Sequence, residues 1–158
     1  MSLKFLEDLK CSPYIIKHSS AVLDKAQEIS SNFDVDIDII CEGSLLHDVG
    51  RIKTQEIRHG IEGARILQEH GFPPEIVRIA EVHIGAGIPL KEAVQMGLPP
   101  RDFMPVTLEE KIVAHADNLI HGTREVTLEF VVSKWQKRMG KDHPSLERVK
   151  NLHEELLG

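Results

Sequence analysis

Two acids stand beside histidines in arrangements suited to holding a metal ion. His47 and Asp48 are adjacent in LLHDVG, and His115 and Asp117 flank Ala116 in EEKIVAHADNLI. Imidazole offers a metal one nitrogen, and a carboxylate offers one oxygen or bridges two ions. Adjacent helical residues face different ways, so His47 and Asp48 can reach one ion only where a helix ends; Gly50 permits a tight exit there. Asp117 follows Ile112, Val113 and Ala116 along an apolar face, where a carboxylate needs a partner and a metal supplies one. His115, two residues earlier, should point elsewhere, as an outer-shell or surface residue.

Three more histidines stand beside apolar helical faces: His18 in YIIKHSSAV, His59 in EIRHGIEGARIL and His83 in IAEVHIGAG. Taken singly, they read as a packed ring, a cap hydrogen bond and a solvent-facing helix end. His70, His121, His143 and His153 lie near helix ends or on polar faces, as dipole partners or surface groups. Spacing alone does not choose among the nine histidines of the chain. Arg51 and Lys53, just beyond the His-Asp pair, are candidates to meet a phosphate, as is Arg124. Lys111 belongs to the solvated side of its helix. No serine or cysteine sits in a nucleophile arrangement, which disfavours covalent hydrolysis.

These residues must be positioned by helices. Pro13 starts a long one carrying Ile16, Ala21, Leu23, Ala26 and Ile29. The alternation in VDIDII reads as a strand in isolation, but no partner strand exists. A helix capped by Asp34 or Asp36 and ended near Gly50 is therefore expected. Further helices are expected over 59–70, stopping at Gly71, and after Pro73 and Pro74, ending at Gly85 and Gly87. Residues 88–106 hold four prolines and read as a connector with one helical turn, KEAVQM, and as a candidate lid. Thr107 and Glu110 form a capping box for a helix running to about His121. Thr127 caps another through FVVSKWQKRM, and Pro144 opens the last. The expected fold is all-α: a single compact domain over 1–158 of about five to seven helices, with C-terminal helices at about 127–157.

Composition narrows the function. With 158 residues, 41% of them hydrophobic, the chain can form one domain with a real core. An excess of 25 acids over 19 Lys plus Arg, net −6, argues against an extended nucleic-acid partner, which needs a broad basic face. Cys11 and Cys41 make no disulfide framework or CxxC pair. No apolar run is long enough to span a membrane, and MSLKFLEDLK lacks a signal-peptide pattern, so a cytoplasmic location without membrane attachment is expected.

In order, His18, His47-Asp48 within HDVG, and Asp117 resemble the HD superfamily of metal-dependent phosphohydrolases, and HDVG is close to its HD-I-G signature. HGIEGARIL and VHIGAG look like the added histidine segments of dinuclear members. KIVAHADNLI, followed by Arg124, is similar to bacterial HD enzymes that cleave diadenosine tetraphosphate symmetrically, though more loosely. The resemblance covers about residues 14–124. It implies an HD-domain helical bundle in which His18, His47, Asp48 and Asp117 hold one metal. It further implies that Asp48 bridges to a second ion held by His59 and His83. IGAGIP departs from the glycine-tyrosine-proline signature of the cyclic-dinucleotide phosphodiesterases, which disfavours cyclic di-GMP.

The implied activity is hydrolysis of a phosphomonoester, phosphoanhydride or phosphodiester bond in a small substrate, a nucleotide for preference, by metal-activated water. Asp48, Arg51, Lys53 and Arg124 are the catalytic candidates. The cofactor expected is one or two divalent transition-metal ions: Fe, Mn, Co or Ni ahead of Mg, with Zn allowed. A homo-oligomer is compatible with this reading. A di-iron oxygenase of the same superfamily and a non-catalytic metal- or nucleotide-binding regulatory domain are the alternatives.

Overall fold

In the computed structural model, which describes residues 2–158, helix starts follow the local capping chemistry. Helix α1 (Ser2–Asp8) precedes α2 (Pro13–Ser30), whose first turn is closed by Ser12 Oγ accepting from the Ile15 N–H, with Pro13 at the first helical position. Helix α3 (Ile37–Leu46) settles the alternating VDIDII segment as helical, because Asp36 accepts from the N–H groups of Asp38 and Ile39. It ends before His47, and a 3-10 turn (Val49–Ile52) follows. Then come α4 (His59–Glu69), α5 (Pro74–Val82), α6 (Leu90–Gln95) and α7 (Leu108–Asn118). The Thr107–Glu110 capping box at the head of α7 is complete in both directions. Helix α8 (Leu128–Met139) and α9 (Pro144–Leu157) complete the order.

Nine α-helices among the described residues exceed the five to seven expected. The surplus is α1 and the short α6, which carry little periodic signal of their own. Helix α7 is also shorter than expected. It stops at Asn118, and Ile120–His121 (β1) pairs antiparallel with Arg124–Glu125 (β2) around Gly122. Gly122 has φ +68, so the reversal needs a residue without a side chain.

The core lies in three clusters. One joins Val22, Ala26 and Ile29 of α2 to Ile112, Val113 and Ala116 of α7, with Val131 of α8 and Val149 of α9. A second packs Leu6 of α1, Ile15 of α2 and Leu46 of α3 against Leu67 of α4 and Ile76 of α5. The third gathers Ile61, Val82, Ile88, Ala93, Leu98 and Phe103. It gives residues 88–106 their own packing instead of leaving them an open connector. Ile88 and Phe103 exchange backbone hydrogen bonds at 3.2 and 2.8 Å, and Glu92 of α6 holds Arg148 of α9 at 2.7 Å.

Candidate metal centre

Five elements converge on one point between α2 and α7. His18 comes from the middle of α2, His47 and Asp48 from the break after α3, His59 from the first residue of α4, His83 from the residue closing α5, and Asp117 from the last turn of α7. His47 and His83 are almost completely buried, and His18, Asp48 and His59 retain only slight exposure. The helix break lets the adjacent pair aim at one place, because neither residue lies within the regular helix.

The four rings are oriented in the same way. Nδ1 of His18 lies 2.6 Å from the Gly122 carbonyl, that of His47 2.6 Å from Ser44 O, that of His59 2.7 Å from Glu56 O, and that of His83 2.8 Å from Ala80 O. A carbonyl oxygen only accepts, so each Nδ1 carries a proton, and it is the Nε2 of each ring that turns inward, free to offer its lone pair to a metal. Outer hydrogen bonds of this kind fix ring tautomer and orientation in metal sites.

Around the shared point, Asp117 Oδ1 stands 2.9 Å from His18 Nε2 and 3.3 Å from His47 Nε2. Asp48 Oδ1 stands 3.3 Å from His59 Nε2 and 3.5 Å from His83 Nε2, and Oδ2 lies 3.9 Å from His18 Nε2. His59 and His83 face each other at 3.1 Å. His47 Nε2 is buried without a hydrogen bond. Inward lone pairs, an orphaned buried nitrogen and two carboxylates fit a divalent cation. Two groups have ligand atoms close enough for an ion: His18, His47 and Asp117, and His47, Asp48 and His83.

The protonation energetics carry the same signature. Burial pushes His47 down, yet Asp117 and Asp48 overcome it and raise its pKa to about 9. Burial works against the charged forms of Asp48 and Asp117 too, but the surrounding imidazoles, His47 foremost, hold both well below the usual carboxylate range. His18 is likewise lowered by burial and raised more strongly by Asp117. His83 is lowered, because burial dominates. Two carboxylates therefore stay charged in a site that asks for positive charge.

The centre opens into a cavity of about 810 Å³. Arg51 lines it and donates through Nε to Asp48 Oδ2 at 2.9 Å, placing a guanidinium beside the metal ligands. Lys53 and Arg124, the other two basic candidates, are not brought there. Both are exposed and outside the cavity lining: Lys53 follows the 3-10 turn, and Arg124 lies on the outer strand of the hairpin. His115 is not a surface residue but fully buried, turned away from the centre and 2.9 Å from His153 Nδ1. His143 caps the start of α9 instead of a helix end. The cavity residues that sequence reading missed come from α8, where Lys134 and Arg138 stand at helical spacing beside Trp135.

A model of the family described as "HD domain" matches residues 15–121. The chain belongs to the HD-domain family. This HD domain is 48% identical to "Uncharacterized protein MJ0778" of Methanocaldococcus jannaschii, over 98% of this chain and 94% of that protein. It is 42% identical to a tRNA (cytidine(56)-2'-O)-methyltransferase of Thermoplasma volcanium, matching 96% of this chain but only 44% of that longer protein. The PgpH phosphodiesterase HD domain of L. monocytogenes, solved with cyclic-di-AMP, superposes with a TM-score of 0.62 at 18% identity, covering 98% of this chain and 92% of that one. The fold is that of the metal-dependent phosphohydrolases of the HD superfamily.

Proposed function

We propose that this HD domain hydrolyses a phosphate ester or anhydride bond of a small nucleotide, using one or two divalent transition-metal ions. The observation that carries this reading is the inward aim of four Nε2 lone pairs at the carboxylates of Asp48 and Asp117. His18, His47 and Asp117 would hold one ion, and Asp48, His59 and His83 a second. When bound, such ions lower the pKa of water and stabilise charge developing on phosphoryl oxygens.

The chain's own residues supply the rest. The backbone carbonyls keep the four imidazoles in the metal-binding tautomer. Arg51 Nε fixes Asp48 Oδ2, which leaves Oδ1 turned toward His59 and His83. The guanidinium at the cavity wall can also meet a phosphate oxygen. The chain is poor in aromatics, yet its one Tyr, its one Trp and Phe130 all line this cavity. Tyr14 lies parallel to His18, with ring centroids 6.5 Å apart. These faces suit a nucleobase, and the cyclic-di-AMP bound by the PgpH domain supports a nucleotide as the ligand class.

Metal-depleted protein assayed for phosphate release before and after addition of Mn²⁺, Co²⁺, Ni²⁺, Fe²⁺ or Mg²⁺ tests the reading. Metal-dependent turnover of at least one member of a nucleotide panel is expected, with transition metals ahead of Mg²⁺. Silence across the whole panel with every metal would remove the hydrolase assignment.

A further inference from the structure

Helix α8 lies outside the residues matched by the family model, yet it forms one wall of the cavity. Two contacts fix it there. A Cβ placed on Gly85 would stand 3.4 Å from the Trp135 ring, so Trp135 sits directly over the backbone two residues beyond His83. The adjacent Lys134 Nζ donates to His121 Nδ1 at 3.4 Å, and His121 precedes the Gly122 carbonyl that orients His18. The helix therefore spans from one metal-ligand segment to another.

From this docked turn onward α8 presents Lys134 and Arg138, one turn apart, to the cavity. Neither forms an ion pair among the described residues, although the chain carries 25 acids. Other cations near the core are matched: Lys25 by Glu28 and Glu125, Lys111 by Glu155, and Arg148 by Glu92. Lys137 extends the same charge onto a shallow outer depression that Lys134 and Arg138 also line. Two unmatched cations on the wall of a phosphate-hydrolysing cavity, apart from the Arg51 beside the metal ligands, make a second anion site.

We propose that Lys134 and Arg138 bind a second phosphate of the substrate, so that the preferred ligand is a nucleotide with two separate phosphate groups. This rests on the assignment of the cavity to a nucleotide phosphohydrolase. One phosphate lies at the His/Asp centre beside Arg51, the nucleoside against the aromatic wall, and the second phosphate on α8. The second phosphate belongs either to a free nucleoside bisphosphate or to the next nucleotide of a short oligonucleotide.

Calorimetric titration of metal-loaded protein with hydrolysis-resistant phosphonate analogues tests this. The ligands are those of adenosine 5′-monophosphate, adenosine 3′,5′-bisphosphate and 5′-phosphorylated triadenylate. The two-phosphate ligand should bind at least about 10-fold more tightly than the monophosphate, as expected for one added charge-assisted contact. In K134Q/R138Q the ratio should collapse toward one, whereas K53Q/R124Q, altered outside the cavity, should keep it. All four positions are exposed, so the folded state should persist, as circular dichroism would show. Equal binding of mono- and bisphosphate to the unaltered protein, or an undiminished ratio in K134Q/R138Q, overturns the proposal. An affinity that rises again for the triadenylate identifies a chain end as the source; a plateau at the bisphosphate identifies the free nucleotide. Failure of the hydrolase assignment appears separately, as absent phosphate release, because these titrations require no turnover.

Discussion

The Nε2 atoms of His59 and His83 face each other at 3.1 Å, while both Nδ1 protons are committed to backbone carbonyls. With both Nδ1 atoms so used, the facing Nε2 atoms share one space that a cation between or beside them would fill. Chelation should therefore destabilise the fold. Reloading Mn²⁺ or Co²⁺ at about 100 times its dissociation constant should restore about 3 kcal/mol, read as a rise in Tm. A Tm indifferent to chelation and reloading would show that these rings hold no metal.

Gly50 is needed for closeness, not for an unusual backbone angle. A Cβ there would fall 1.8 Å from the His59 carbonyl oxygen and 2.5 Å from the Gly63 nitrogen, both backbone atoms. Gly50→Ala must push the 3-10 turn away from α4 and so separate Asp48 from His59. A stability loss of roughly 3 kcal/mol or more and weaker metal binding are expected, checked by denaturant unfolding and metal titration. Wild-type behaviour in both would contradict the tight contact.

Arg51 acts on Asp48 through a single 2.9 Å bond from Nε. Arg51→Ala should lower metal affinity by about 10- to 100-fold, the usual cost of losing a partner that orients a ligand. Asp48→Ala should cost more, since it removes the ligand itself. Lys53→Ala, outside the cavity, should leave metal affinity within a factor of about two. The ranking is readable by competition with a chromogenic chelator, and equal effects of Arg51→Ala and Lys53→Ala would remove the role given to Arg51.

His115 supplies the pH dependence least entangled with metal ligation. Burial first, then the neighbouring His153 and Lys25, lower its pKa from 6.5 to about 4. The folded state thus resists protonation while the unfolded chain accepts a proton below about 6.5. The sign is a stability fully present above 6.5 and lost as pH falls toward 4, on the order of 3 kcal/mol. His115→Gln should flatten that part of the curve, so the variant loses less stability than wild type between pH 7 and pH 4.5 in urea titrations. Parallel losses in the two proteins would dispose of the assignment.

Much of the scaffold was legible because its signals are local. Ser12–Pro13, Thr107–Glu110 and Thr127 name helix starts through capping chemistry that needs no distant partner. VDIDII was ambiguous, since alternation suits a strand until the Asp36 cap closes the first turn of α3. Short α1 carried too few periods to be seen, α6 showed only as the single turn KEAVQM, and α7 ended early because the hairpin around Gly122 takes over the chain.

The sequence alone determined which residue types could make a metal centre, because His47-Asp48 and the order of His18, His59, His83 and Asp117 are properties of the string. Only the tertiary structure decided where they meet. The distance from His18 to Asp117 spans 99 positions of chain but 2.9 Å of space, and no local rule carries that closure. The same holds for the exclusions and additions. Lys53 and Arg124 lie close in sequence to site residues yet fall outside the cavity lining, while Lys134 and Arg138 lie farther along the chain yet line the cavity. Helical direction and the docking of α8 over Gly85 set those placements, through packing that a one-dimensional pattern does not encode.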